Sequence, residues 1–159
     1  MSQIPKWDHR GLNLASEVAL WSKDPSTEVG AVIMDSHHRP VSWGFNGLPS
    51  GIADSPERLN NRQTKYALTI HAELNAILFA ERSRLVGATI FVYPIPPCAS
   101  CATAIVQNKL ARVVSLTPGP AILDRWGESL RLAKEIFDEA GIGLDLFEMR
   151  DFHGLGAAA

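Results

Sequence analysis

Cysteine is scarce in this chain of 159 residues, and the only two, Cys98 and Cys101, lie three positions apart. One close pair cannot provide a disulfide framework of the kind found in small secreted domains, so it suggests metal binding or redox chemistry. Long apolar runs are also missing, and stretches such as 31–34 and 76–80 are too short to span a membrane. The first residues contain no apolar signal core, so we expect a cytoplasmic protein with no membrane partner.

Net charge is small as well, at a formal value of −2. This value argues against a surface built mainly to hold polynucleotide phosphates, although a local basic groove remains compatible with it. The length fits one domain, which we place at residues 1–153. Residues 154–159 contain only Gly, Leu and Ala, and we expect them to form a flexible tail.

Hydrophobic periodicity predicts alternating helices and strands. The predicted helices are 8–21, 66–83 (with clear helical spacing from Ala72 onward), 101–108 and 124–140; the predicted strands are 29–34, 41–45, 88–93, 111–116 and 142–147. The first helix is predicted to have one apolar face, formed by Leu14, Ala15, Val18 and Trp21. This order indicates an α/β fold with a central five-stranded mixed sheet and helices on both faces. We expect the first two strands to be antiparallel and the strands joined through helices to be parallel.

Two short motifs each lie at a predicted helix start, His71-Ala72-Glu73 and Pro97-Cys98-Ala99-Ser100-Cys101. Cysteines three positions apart at a helix N-terminus can converge on one ion, and the helix dipole favours the thiolates that zinc requires. One histidine and two thiolates fill three positions of a tetrahedral zinc, and an open fourth position is typical of a catalytic site. We therefore predict a zinc site formed by His71, Cys98 and Cys101.

Glu73 lies two residues after His71, close enough to reach a water at the ion without binding the metal. Such a carboxylate can take a proton from the water and pass it to a leaving group, so we predict Glu73 as the catalytic residue. The His-x-Glu…Pro-Cys-x-x-Cys pattern is an established signature of zinc-dependent nucleobase deaminases, and this sequence matches it.

Two plainer interpretations of the cysteine pair stay open at this point. A redox-active pair would leave His71 and Glu73 without a role. A structural zinc would need a fourth protein ligand, and the histidines available for it are His9, His37, His38 and His153.

Three blocks resemble deoxycytidylate (dCMP) deaminases: residues 22–33, residues 44–51, and Lys65-Tyr66 leading into 71–77. The likeness covers about residues 12–114. It implies a three-layer α/β/α cytidine deaminase-like fold and hydrolysis of dCMP to dUMP and ammonia, which supplies thymidylate synthesis. It also implies a homo-oligomer, a hexamer or a dimer, and regulation by dCTP and dTTP, the latter with Mg²⁺.

The same resemblance implies substrate contacts. Asn46 would contact the nucleotide sugar, and the backbone N–H of Ala72 would hold the pyrimidine carbonyl. Phosphate recognition would fall near residues 22–27, with Lys23 and Thr27 among the donors. From residue type alone, an asparagine in a glycine-rich loop is also typical of a turn, and Lys23 could be a solvated cation at a helix end.

Two segments depart from the usual family pattern. Residues 46–70 contain no cysteine or histidine for a second metal, so we predict one Zn²⁺ per chain. Residues 117–126 are atypical and follow a predicted strand, which places them near the site mouth. There Trp126 could stack on a base or pack in the core, and Arg125 could bind phosphate or join an ion pair.

Rival functions stay open at this stage. The substrate could be cytosine, cytidine, guanine or a modified pyrimidine. A tRNA or DNA deaminase and a non-catalytic deaminase-like module are further alternatives.

Overall fold

The centre of the fold is a five-stranded mixed sheet with strand order β2-β1-β3-β4-β5, seen in a computed structural model that describes residues 3–154. The strands are β1 (Gly30–Met34), β2 (Pro40–Phe45), β3 (Thr89–Tyr93), β4 (Arg112–Leu116) and β5 (Gly143–Phe147). Strand β1 is antiparallel to β2 and to β3, whereas β3, β4 and β5 are mutually parallel. The predicted sheet is confirmed.

Helices cover both faces of this sheet. Helix α1 (Lys6–Ala19) packs on one face, where Leu12, Ala15 and Val18 meet Val32 and Phe91. The other face is covered by α4 (Ala72–Leu78), α5 (Ala99–Gln107) and α6 (Pro120–Ala140). The predicted three-layer α/β/α fold is therefore confirmed. Within residues 3–154, no helix combines the length and apolar character that a membrane span needs. Residues 155–159 of the predicted tail lie outside the described residues.

The predicted apolar face of the first helix is partly wrong. Leu14 is 40% exposed, and Trp21, which lies beyond the end of α1, is 48% exposed. The inner face instead contains Gly11, where a Cβ atom would lie 2.4 Å from the Phe91 ring, and Asp8, which binds Arg112 at 2.7 Å. Gly11 and Asp8 both lie on the inner face of α1. Hydropathy does not score either residue as apolar, so the hydrophobic pattern could not place them there.

The predicted helix over 66–83 is also wrong in its extent, because the chain forms two helices there, α3 (Arg62–Leu68) and α4. Ile70 interrupts them by forming two backbone hydrogen bonds with Gly47, of 2.8 and 3.1 Å. After Leu78 the chain leaves the α-helix and forms a 3-10 turn at Arg82–Arg84. The short helix α2 (Pro56–Asn60), which was not predicted, precedes α3. As a result, α4 begins immediately after His71.

Strand β2 and helix α4 approach each other closely at Gly44. A Cβ atom there would lie 2.5 Å from the carbonyl oxygen of Ala72 and 2.5 Å from the backbone nitrogen of Ala76. The Asn75 side chain strengthens the same contact by donating a hydrogen bond of 2.8 Å to the carbonyl of Phe45. The start of α4 is thus held against the edge of the sheet.

We expect Gly44→Ala to lower the free energy of unfolding by about 1–3 kcal/mol or more, because backbone atoms cannot move aside for the new methyl group. The matched control is Gly127→Ala in α6, where a Cβ meets no atom within 4 Å. That change should raise the free energy of unfolding by about 0.5–1 kcal/mol through helix propensity. Urea denaturation of both variants measures the contrast, and equal effects would contradict the close approach at Gly44.

Candidate active site

Three metal-binding side chains meet where α4 and α5 begin. His71 precedes α4 in an extended conformation (φ −67°, ψ 152°), and Cys98 precedes α5 in the same way (φ −71°, ψ 170°). The Sγ atoms of Cys98 and Cys101 each lie 3.5 Å from Nδ1 of His71. Within the described part of the chain, this is the one group of three His, Cys, Asp or Glu side chains that could share a metal ion.

The spacing of these atoms fits zinc. Zinc–sulfur distances of about 2.3 Å and zinc–nitrogen distances of about 2.0–2.1 Å place nitrogen and sulfur about 3.6 Å apart in a tetrahedron. The two observed nitrogen–sulfur distances of 3.5 Å agree with that value. The donor set of one imidazole and two thiols is also one that binds zinc with an open fourth position.

The protonation of the two cysteines supports the same interpretation. A hydrogen bond from the Cys101 thiol, with a further one from His71, lowers the pKa of Cys98 to about 4 despite its partial burial. The bond to Cys98 together with burial raises the pKa of Cys101. Hydrogen bonding to Cys98 also raises the pKa of His71. Both sulfur atoms thus lie where a bound cation would favour their thiolate forms.

Glu73 lies beside this group in the first turn of α4 and is only 4% exposed. Burial raises the pKa of its carboxyl group, although the charge on His71 opposes that effect. A carboxyl group in this position can accept and return a proton beside the metal ligands.

His71, Glu73 and Cys98 line a cavity of about 340 Å³. This volume is near the lower end of the range for small-molecule sites and fits one small ligand. One wall is polar and comes from the segment between α1 and β1 and from the residue after β2; another wall is largely apolar and comes from α6 and the chain after β3. The polar wall contains Asp24, Ser26, Thr27 and Asn46, and the apolar wall contains Ile95, Pro96, Ile122, Trp126 and Leu130.

Asn46 lines the cavity, but its amide also holds the polar wall in place. Its Oδ1 accepts the backbone N–H of Val29 at 2.8 Å, and its Nδ2 donates to the carbonyl of Thr27 at 2.9 Å. An amide group has a second N–H and a second lone pair beyond the two that these bonds use. Asn46 therefore stabilises the wall that it lines, and its contact with a nucleotide sugar stays a prediction.

The structure does not bring Lys23 into the cavity. Its side chain is 71% exposed and forms an ion pair with Asp54 at 3.0 Å. Lys65 lies in the cavity wall instead, only 4% exposed, with Nζ 3.0 Å from both Asp24 Oδ1 and Ser26 Oγ. Ala72, the first residue of α4, and Thr27 also line the cavity.

The segment 117–126 reaches the cavity through the first turns of α6. Trp126 is half-buried in the cavity wall, and its ring meets the Tyr66 ring edge-on at 6.1 Å. Arg125 lies at the mouth and donates a hydrogen bond of 2.6 Å to the Tyr66 hydroxyl.

Sequence reasoning did not assign a site role to Lys65, Tyr66, Ile122 or Leu130. The apolar residues resemble ordinary core positions in the sequence. The Lys65-Tyr66 pair belonged to a block that resembles known deaminases, and this was the one signal that could have pointed to it.

Comparisons with known proteins agree with this geometry. The family model for the cytidine and deoxycytidylate deaminase zinc-binding region matches residues 5–117. An uncharacterized deaminase in the luxG 3′ region of Aliivibrio fischeri is 45% identical over 87% of this chain and 92% of its own length. Human deoxycytidylate deaminase is 33% identical over 86% of this chain and 77% of its own length. The dCMP deaminase of cyanophage S-TIM5 has the same fold, with a TM-score of 0.69 at 19% identity over 91% of this chain and all of that one.

We expect Cys98→Ala to reduce bound zinc from about one ion per chain to a small fraction of that, because the ion loses one of three protein ligands. Ser100→Ala is the matched control, since Ser100 lies exposed in the same turn between the two cysteines. Zinc measured by mass spectrometry after dialysis distinguishes the two variants. Full zinc content in Cys98→Ala, or equal loss in both variants, would contradict the assigned ligands.

Proposed function

The chain belongs to the cytidine and deoxycytidylate deaminase zinc-binding family, and on this premise we propose that it hydrolyses dCMP to dUMP and ammonia. It is a zinc-type deaminase hydrolase of the dCMP deaminase kind. The observation that carries the proposal is a buried carboxylate, Glu73, in the same cavity as His71 and Cys98, which form the three-ligand group with Cys101.

His71, Cys98 and Cys101 would hold the zinc ion, which when bound supplies Lewis acidity that makes water reactive at neutral pH. Glu73 would accept one proton from the attacking water and deliver it to the pyrimidine ring nitrogen, and would then pass the second proton, from the new hydroxyl group, to the leaving amine. The bond from the ring carbon to its exocyclic nitrogen breaks, and a bond from that carbon to the water oxygen forms. Water and dCMP are thus consumed, and dUMP and ammonia are released.

The walls of the cavity supply the proposed substrate contacts. The backbone N–H of Ala72, at the start of α4, would hold the pyrimidine carbonyl, because a helix N-terminus favours negative partial charge. Asn46 would use its remaining donor and acceptor on the sugar, and Thr27 lies beside it. Trp126 would pack against the base from the α6 wall. Lys65, rather than Lys23, is the lysine within reach of a ligand.

The proposal also concerns where the enzyme acts, what its product supplies and how it assembles. We propose a cytoplasmic enzyme that supplies dUMP for thymidylate synthesis and forms a homo-oligomer, a hexamer or a dimer. Exposed large apolar side chains at Trp43, Leu78 and Phe79 support self-association. Regulation by dCTP, or by dTTP with Mg²⁺, stays a prediction from the family resemblance.

We expect Glu73→Gln to lower kcat for dCMP by about 100- to 10,000-fold, because glutamine keeps the shape of the side chain but cannot transfer the proton. Zinc content and the urea midpoint should stay close to those of the parent protein. Steady-state release of dUMP and ammonia measures the effect. Undiminished turnover would overturn the role of Glu73, and absence of dCMP turnover in the zinc-loaded parent would overturn the substrate assignment.

A further inference from the structure

Ser129 of α6 contacts the start of α5, the helix that begins between Cys98 and Cys101. Its Oγ accepts a hydrogen bond of 3.0 Å from the backbone N–H of Ala99, the first residue of α5. The first N–H groups of an α-helix have no partner within the helix and need one from elsewhere. Within residues 3–154, the Cys98 side chain caps none of them, and its Sγ lies 3.5 Å from Nδ1 of His71 instead. Helix α5 therefore takes a capping oxygen from another helix.

The peptide group between Cys98 and Ala99 is held from both sides. Its N–H donates to Ser129, and its carbonyl oxygen accepts the N–H of Ala102 at 2.9 Å. A peptide group is planar, so fixing its donor and its acceptor fixes the plane that follows Cys98. With ψ of Cys98 at 170°, this plane limits the directions in which the sulfur atom can point. The bond to Ser129 thus acts on the orientation of a metal ligand.

Ser129 is itself held in a fixed position by the inward face of α6. Residues three and four positions apart share one face of a helix, which here contains Trp126, Ser129, Ala133 and Phe137. Ala133 and Phe137 are buried in the core, and Trp126 lines the cavity. A serine among apolar side chains needs a hydrogen-bond partner, and the N–H at the start of α5 provides one. The cap is therefore attached to the core and not to a loop.

Helix α4 begins in a similar way but is completed differently. His71 is the residue that precedes α4, and its carbonyl oxygen accepts the N–H of Asn75 at 2.9 Å. The N–H of Ala72, the first residue of α4, is the group proposed above for the pyrimidine carbonyl. The corresponding N–H of α5, on Ala99, is already occupied by Ser129. One helix start is thus assigned to the substrate, whereas the other is closed by the protein and supports a ligand.

We propose that Ser129 is a positioning residue for the metal site, which caps α5 and so holds Cys98 in the orientation that binds zinc. The inference rests on the zinc ligands of the proposed function and not on dCMP as the substrate. Groups that orient metal ligands commonly change metal affinity by about 10- to 100-fold when they are removed. The same face of α6 also places Trp126 in the cavity wall, so one helix supports both the ligand and the wall beside it.

A bond that only joins α5 to α6 makes a different prediction. Its loss would lower the urea midpoint of the zinc-loaded protein, and the folded protein would keep its affinity for zinc. A positioning bond instead acts on the metal site within the folded protein. The two roles can therefore be separated by measuring zinc affinity and unfolding in the same variants.

The test measures the dissociation constant for zinc in the zinc-loaded parent, Ser129→Ala and Ser16→Ala, by competition with a chromophoric chelator. We expect Ser129→Ala to raise this constant by about 10- to 100-fold. Ser16 is the matched control, because it is also a half-buried helical serine with one hydrogen bond, of 2.8 Å, to the carbonyl of Asn13. Alanine has the higher helix propensity at both positions. An unchanged constant in Ser129→Ala, or an equal rise in both variants, would overturn the proposal.

A third variant, Ser129→Thr, keeps the hydroxyl oxygen and guards against a folding defect in Ser129→Ala. It should bind zinc almost as tightly as the parent, and a folded Ser129→Thr protein with greatly weakened zinc binding would contradict the cap. Cobalt-substituted protein gives a second signal, since its thiolate-to-cobalt absorption band reports the sulfur ligands. We expect that band to change in Ser129→Ala and to stay as in the parent in Ser129→Thr and Ser16→Ala. An unchanged band in Ser129→Ala would count against the proposed role.

Neither measurement needs a substrate, so the inference and the proposed function can fail separately. If the parent binds zinc without turning over dCMP, and Ser129→Ala weakens that binding, the positioning role stands and the substrate assignment falls. If the parent turns over dCMP and Ser129→Ala binds zinc as tightly as the parent, the positioning role falls and the function stands.

Discussion

The site depends on one constraint: the first turns of α4 and α5 must meet so that one ring nitrogen and two sulfur atoms surround a common point. Each helix is held separately. Helix α4 is fixed to β2 by the close contact at Gly44 and by the bond from Asn75 to the carbonyl of Phe45. Helix α5 is fixed to α6 by the bond from the backbone N–H of Ala99 to Ser129 Oγ at 3.0 Å. These contacts of α4 and α5 therefore set the distance of 3.5 Å between Nδ1 of His71 and each of the two Sγ atoms.

This constraint also explains which parts of the site the sequence could predict. His71 and Glu73 are separated by one residue, and Cys98 and Cys101 by two, so short motifs at helix starts suffice to identify them. The substrate cavity has no such local pattern. Lys65 meets Asp24 across 41 positions, and Tyr66 meets Arg125 across 59. Contacts of this kind arise only from the tertiary structure, and the sequence accordingly favoured the exposed Lys23.

The fold shows the same division between local and long-range causes. The five strands follow from short β-rich apolar runs, which the sequence displays directly. The interruption between α3 and α4 follows from the pairing of Ile70 with Gly47, which no helical periodicity can reveal. The inner face of α1 depends on partners elsewhere, the Phe91 ring for Gly11 and Arg112 for Asp8.

The side chains that line the cavity differ in polarity from one part of it to another. Glu73 is buried beside the ligands, apolar side chains of α6 form one wall, and Arg125 is the arginine in the lining. A cavity lined in this way suits a small ligand with a flat ring. The start of α6 thus contributes Ile122, Arg125 and Trp126 to the lining of the cavity that contains His71 and Glu73.

The central claim is that one histidine and two cysteines bind a zinc ion that keeps an open position. X-ray absorption spectroscopy of the zinc-loaded protein tests this claim most directly. We predict two sulfur neighbours at about 2.3 Å, one imidazole at about 2.0–2.1 Å and one further light atom supplied by solvent. Four sulfur neighbours, or a second imidazole, would show a closed site and would contradict the account.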